Sequence, residues 1–275
     1  MIPTANFITV TITLLLCTVL PVAVLIAFAL KNKGKGIVSA WLLGAAGFFV
    51  TQLLIRLPIL MALQSQSWFM TFAQNHYFLY VFSLAFTAGL FELAGRFVVA
   101  KLMEKKNLTY KRSLAAGLGH GGIEAMVLIG GTYISNLAMM VMIQTGTFDA
   151  VIAEAAAAGV DPSQLTMLQD TLLTTPAAMF LLGGFERILA MTAHAGMTMI
   201  VSYGVHSGRT VPALLLCLGI HTLIDLSAGL SGLATPAMGN VLSQTTVYLI
   251  VYSLLTIAAV LSVLMIRKIR SRWAD

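Results

Sequence analysis

The chain has 275 residues, 59% of them hydrophobic and only 9% charged, with a mean hydropathy of +0.92. A soluble domain carries about a quarter charged residues, so composition excludes one and points to a polytopic membrane protein. The net charge of +6 is explained by its placement along the chain, and no nucleic-acid partner is expected.

Apolar runs of about 20 residues, enough to cross a bilayer, fall seven times: 7–30, 37–60, 78–100, 113–140, 177–205, 211–230 and 243–266. The predicted fold is therefore an all-α bundle of about seven transmembrane helices. No Lys or Arg precedes the first run, so it lacks the charged leader of a cleaved signal peptide and reads as a span. Lys31, Lys33 and Lys35 follow the first span, and Lys101, Lys105, Lys106, Lys111 and Arg112 follow the third. Arg209 follows the fifth, and Arg267, Lys268, Arg270 and Arg272 follow the seventh. The alternate connections, 1–6, 61–76, 141–176 and 231–242, contain no Lys or Arg. By the positive-inside rule the N-terminus is expected outside and the C-terminus in the cytoplasm.

In the second connection, Trp68, Phe69 and Tyr77 are expected as interfacial anchors. The long connection 141–176 is acidic, with Asp149, Glu154, Asp161 and Asp170. Asp161-Pro162 reads as an N-cap followed by proline at the first helical position. Leu165, Leu168 and Leu172 then share one face, as in a short helix lying along the membrane surface. A plain surface loop and a substrate gate both fit this stretch. Cys17 and Cys217 stand in apolar runs as small buried thiols, without the spacing of a disulfide framework or metal motif.

Ionisable groups inside the spans are costly and mark functional sites by default. They are Arg56, Glu92, Arg96, His120, Glu124, Glu186, Arg187, His194, His221 and Asp225. Helical rise places Glu92, His120, Glu124, His194 and His221 in one layer, about 10–16 Å from the cytoplasmic ends. Asp225 comes next at about 21 Å, and Arg56, Glu186 and Arg187 form an outer group at about 27–28 Å. In that outer group Arg56 is expected to pair with Glu186.

Three patterns repeat an i, i+4 spacing, which stacks two side chains on one helical face. Glu92 and Arg96 have the spacing of a buried ion pair. His120 and Glu124 stand within Gly117-Leu-Gly-His-Gly-Gly-Ile-Glu124, whose glycines let another backbone approach closely. His221 and Asp225 have the spacing at which a carboxylate fixes a histidine tautomer. His194 has no partner within its turn and on its own reads as a core histidine, while His76 and His206 lie at span ends. Together, His120, His194 and His221 on three helices suit a three-ligand metal site for Zn2+, with a fourth position for water. A neighbouring glutamate would take the proton from that water. The same groups also suit a metal-free site, in which a glutamate activates water and the histidines stabilise an oxyanion. No HExxH is present, so the usual zincin arrangement is excluded.

At Phe91-Glu92-Leu-Ala-Gly-Arg96, Gly119-His120-Gly-Gly-Ile-Glu124, Glu186-Arg187 with His194, and His221-Thr-Leu-Ile-Asp225, the chain resembles the YhfC family of bacterial intramembrane peptidases. That family is related to the type II CAAX-prenyl proteases, the bacteriocin-processing enzymes and PrsW. The resemblance covers roughly 80–230 and implies hydrolysis of a peptide bond in or near the membrane, in a multi-pass protein of the bacterial cell membrane. The substrate would be a membrane protein or peptide, entering from the lipid. Glu92, Arg96, Glu124, His194, His221 and Asp225 would be the catalytic residues, with His120, His194 and His221 as metal ligands. Under this reading 1–275 is one membrane domain: peripheral helices over 1–76, a catalytic core over 78–230, and a C-terminal helix with a basic tail over 243–275. The wider group carries two adjacent glutamates before the arginine, whereas Phe91 precedes Glu92 here. Glu124 is favoured as the base through its spacing from His120. Two other functions stay open: a catalytically inactive membrane scaffold or partner-binding protein, and a proton-coupled transporter, whose inverted repeat the sequence does not show.

Overall fold

The computed structural model describes residues 1–235 and 239–273, and among these there are helices and turns but no strand. Seven helices are long and apolar enough to cross a membrane: α1 (Thr4–Lys31), α2 (Ile37–Gln64), α3 (Tyr77–Glu104), α4 (Tyr110–Thr145), α5 (Ala177–His206), α6 (Thr210–Ala234) and α7 (Gln244–Arg272). Each expected span is found, with ends that differ from the expected ones by up to six residues. Large apolar side chains such as Leu15, Leu249 and Ile257 stay exposed along the helices. Such surface is a liability in water and ordinary in lipid.

The chain forms two compact units, one of 1–23 with 125–188 and one of 24–124 with 189–275. In the first, Ile2, Val10, Tyr133, Met140, Leu172 and Phe180 make the core. Hydrogen bonds pin the start of α1 to it, from Asn6 Nδ2 to the Thr175 carbonyl at 3.0 Å and from Thr13 Oγ1 to that of Phe180 at 2.7 Å. The connection after α4 is helical rather than loose. Gly146, at φ 77°, takes the left-handed conformation that ends α4, and helices follow at Thr147–Ala157 and Ser163–Thr174. Gln169 donates to Asp149 across them at 2.7 Å. The second helix begins one residue later than expected. Asp161 accepts from the Ser163 N–H and hydroxyl, and these bonds hold its carboxyl below the usual range. Leu172 is buried and Leu165 and Leu168 are half-buried, so the expected apolar face is present.

In the second unit, α5 is the enclosed element, with most residues from Ala190 to Val205 buried. The glycines of α4 explain how its neighbours come so near. A Cβ on Gly119 would lie 2.0 Å from the Trp41 carbonyl oxygen of α2, so only glycine permits that crossing. Gly117 and Gly121, on another face, lie against Ala195 and against Met191 and His194 of α5. Phe49–Arg56 of α2 and Ala125–Gly130 of α4 are π-helical. Such wide turns re-aim side chains and recur near functional sites. A short helix, Ser67–Asn75, precedes α3. There Trp68 is exposed as an anchor should be, whereas Phe69 turns inward against Tyr80. Tyr77 donates its hydroxyl to the Gly229 carbonyl.

Candidate active site

Glu92 sits midway along α3 with almost no exposure, and an isolated carboxylate there would cost several kcal/mol, of the order of the ion's desolvation. One turn on, Arg96 answers it with a 3.0 Å ion pair from Nη2 to Oε2. The same Oε2 receives His120 Nε2 from α4 at 3.0 Å and His221 Nε2 from α6 at 2.7 Å. His194 Nδ1 of α5 lies 3.6 Å from it and 2.5 Å from Arg96 Nη2. Four helices thus direct nitrogen at one oxygen. A carboxylate oxygen has two lone pairs, fewer than the nitrogens gathered around it. Glu92, Arg96, His120, His194 and His221 are all between 1% and 7% exposed.

Each of two histidines has its own carboxylate behind it. His194 Nε2 lies 2.8 Å from Glu124 Oε2, and His221 Nδ1 lies 3.3 Å from Asp225 Oδ2. The Arg96 guanidinium can only donate, so His194 Nδ1 accepts from it and the proton of the ring sits on Nε2, turned to Glu124. That is the carboxylate–histidine arrangement that orients metal-ligating imidazoles. Asp225 is the accessible member, its side chain 35% exposed.

Among the described residues, Glu92, His194 and His221 offer donor atoms all within 4.8 Å of one another. Two imidazoles and a carboxylate are a donor set of catalytic zinc sites. Together with the backing carboxylates, this set fits a divalent metal. It differs from the expected three histidines in having Glu92 where His120 was placed. Zn2+ stays the expected ion by ligand chemistry. The expected base, Glu124, is engaged with His194.

One site residue escapes sequence reasoning. Gln52, from the π-helical stretch of α2, is buried and donates Nε2 to Glu92 Oε1 at 2.7 Å. Behind it, Arg56 reaches Gln52 Oε1 at 3.4 Å and the Leu84 carbonyl at 2.8 Å. The expected pairing of Arg56 with Glu186 is therefore replaced by bonds to α3 and to its own helix. The physical reason is the π turn, which aims Gln52 and Arg56 together at α3. Glu186 bonds its neighbour Arg187. An uncharged amide in an apolar span gives little signal, and only the run Thr51-Gln52 within it hinted at a buried polar contact.

No solved structure matches the chain. The chain is similar to an uncharacterized membrane protein, YhfC, of Bacillus subtilis (strain 168), with 30% identity over 209 residues, covering 76% of this chain and 78% of that one. A family model described as YhfC intramembrane metalloprotease matches residues 16–247, which contain every residue of the centre. The chain is a multi-pass membrane protein that belongs to the YhfC intramembrane metalloprotease family.

Proposed function

We propose that this protein is an intramembrane endopeptidase whose reactive centre is built on Glu92. The observation that carries the reading is the convergence of His194 and His221, each backed by a carboxylate, on the one oxygen Oε2. Glu92, His194 and His221 would hold the metal. When bound, it supplies Lewis-acid polarisation of the scissile carbonyl and lowers the pKa of an attacking water.

The chain's own groups supply the rest. Arg96 balances the Glu92 charge and fixes its orientation, and Gln52 holds the other oxygen. Glu124 orients His194, and Asp225 orients His221. His120 Nε2 donates to Oε2 and helps to hold the carboxylate in place. Burial of these groups keeps bulk water away and strengthens every charge interaction inside. Substrate is a membrane peptide reaching the site from the lipid side.

A second reading has one observation in its favour. His120 and His221 lie at direct hydrogen-bond distance from Glu92, which also suits a carboxylate base with imidazole donors for the oxyanion. Both readings need Glu92. Purified protein in liposomes is expected to cleave single-span membrane peptides, and Glu92→Gln to abolish the products. Equal cleavage by a protein with Glu92 and Glu124 both changed to Gln overturns hydrolysis at this centre.

A further inference from the structure

On the second unit, α5, α6 and α7 enclose a slot of about 510 Å³ walled by apolar side chains, among them Met197, Leu223, Ile257 and Leu261. None of the histidine centre's residues borders it. Lys268 closes one end and also borders an adjoining cavity of about 300 Å³, shared with Arg209, Arg272, Ser207 and Tyr203. Ile200, Leu216 and Met265 also line both, so slot and cavity lie side by side. Among the described residues, no carboxylate lines either one. Tyr203 packs on Trp273, which stacks on His206 at 4.6 Å, and this ring cluster fixes the basic end of α7 beside the end of α5.

An apolar slot opening on three cations, with no carboxylate among the described lining residues, has the complementarity of a lipid with an anionic headgroup. Basic pockets between membrane helices take such headgroups. A peptide helix about 10 Å across would fill 510 Å³ in little more than one turn, whereas a single acyl chain threads it. An acyl chain gains little on leaving the bilayer for a slot as apolar as its neighbours, so selectivity must come from the charged end. We propose that this slot and cavity bind an anionic phospholipid, with an acyl chain between α6 and α7 and the phosphate among Arg209, Lys268 and Arg272.

The test uses the full chain, purified and delipidated in detergent, with thermal unfolding and native mass spectrometry as readouts. Phosphatidylglycerol raises the unfolding temperature and stays bound as a single copy, while phosphatidylcholine and soluble glycerol phosphate do neither. Arg209→Gln, Lys268→Gln and Arg272→Gln each weaken phosphatidylglycerol binding about fivefold, with the lipid-free unfolding temperature unchanged. Ala258→Trp fills the slot, leaves all three charges and abolishes retention of the lipid. Equal retention of phosphatidylcholine, a matching shift from glycerol phosphate alone, or wild-type binding by the charge variants overturns the proposal. So does a lipid-free dimer that occupies this face. None of these readouts depends on peptidase activity.

Discussion

Gln52 Nε2 donates to Glu92 Oε1 at 2.7 Å, so the side of the carboxylate facing away from the histidines is held by an amide from another helix. This leaves Oε2 free to face the imidazoles and fixes the plane of the carboxylate. Supporting hydrogen bonds of this kind are worth about 10–100-fold in metal affinity or activity. Gln52→Leu is expected to lose that much of both, with metal titration and peptide cleavage as the measurements. Gln52→Glu is expected to do worse, because it sets a second buried carboxylate beside the first.

Glu92 and Arg96 form an ion pair with almost no solvent contact. Removing one partner of a buried pair costs about 3–5 kcal/mol, because the other charge is left uncompensated. Arg96→Met should therefore lower the unfolding temperature in detergent sharply. The double variant Glu92→Gln with Arg96→Met should regain much of the loss while remaining inactive. A double variant as unstable as the sum of the two single ones contradicts this account of the pair.

Helix contact at Gly119 gives a test of the scaffold. Gly119→Ala pushes a methyl group into the Trp41 backbone, and overpacking of this kind costs about 1–3 kcal/mol. Gly219→Ala, on α6, meets nothing within 4 Å and should be neutral or slightly stabilising. Thermal unfolding of the two variants side by side measures the difference.

The seven spans were legible because lipid demands long apolar runs, and the polar residues stood out against them. Glu92, His120, His194 and His221 were legible as a layer through helical rise alone. Their partners were not. Spacing on α4 pairs Glu124 with His120, but the contact that forms runs to His194 of α5, where Gly121 lets the two helices close. Arg56 was legible as an intramembrane charge but its partners were not, and Gln52, an uncharged amide in an apolar run, gave little signal. The helices Thr147–Ala157 and Ser67–Asn75 are too short and too mixed for periodicity to resolve.

The claim on which the rest turns is that Glu92, His194 and His221 hold a metal. Metal analysis of purified, cleavage-competent protein tests it most directly, alongside Glu92→Gln, His194→Ala, His221→Ala and His120→Ala. One equivalent of zinc or a similar divalent ion is expected in the wild type and lost in the first three variants. His120→Ala should keep the metal and lose much of the cleavage, since on this reading it orients Glu92 through Oε2 and is not a ligand. Full cleavage by protein holding no metal contradicts the metal centre, and so does a metal content that survives all three ligand substitutions.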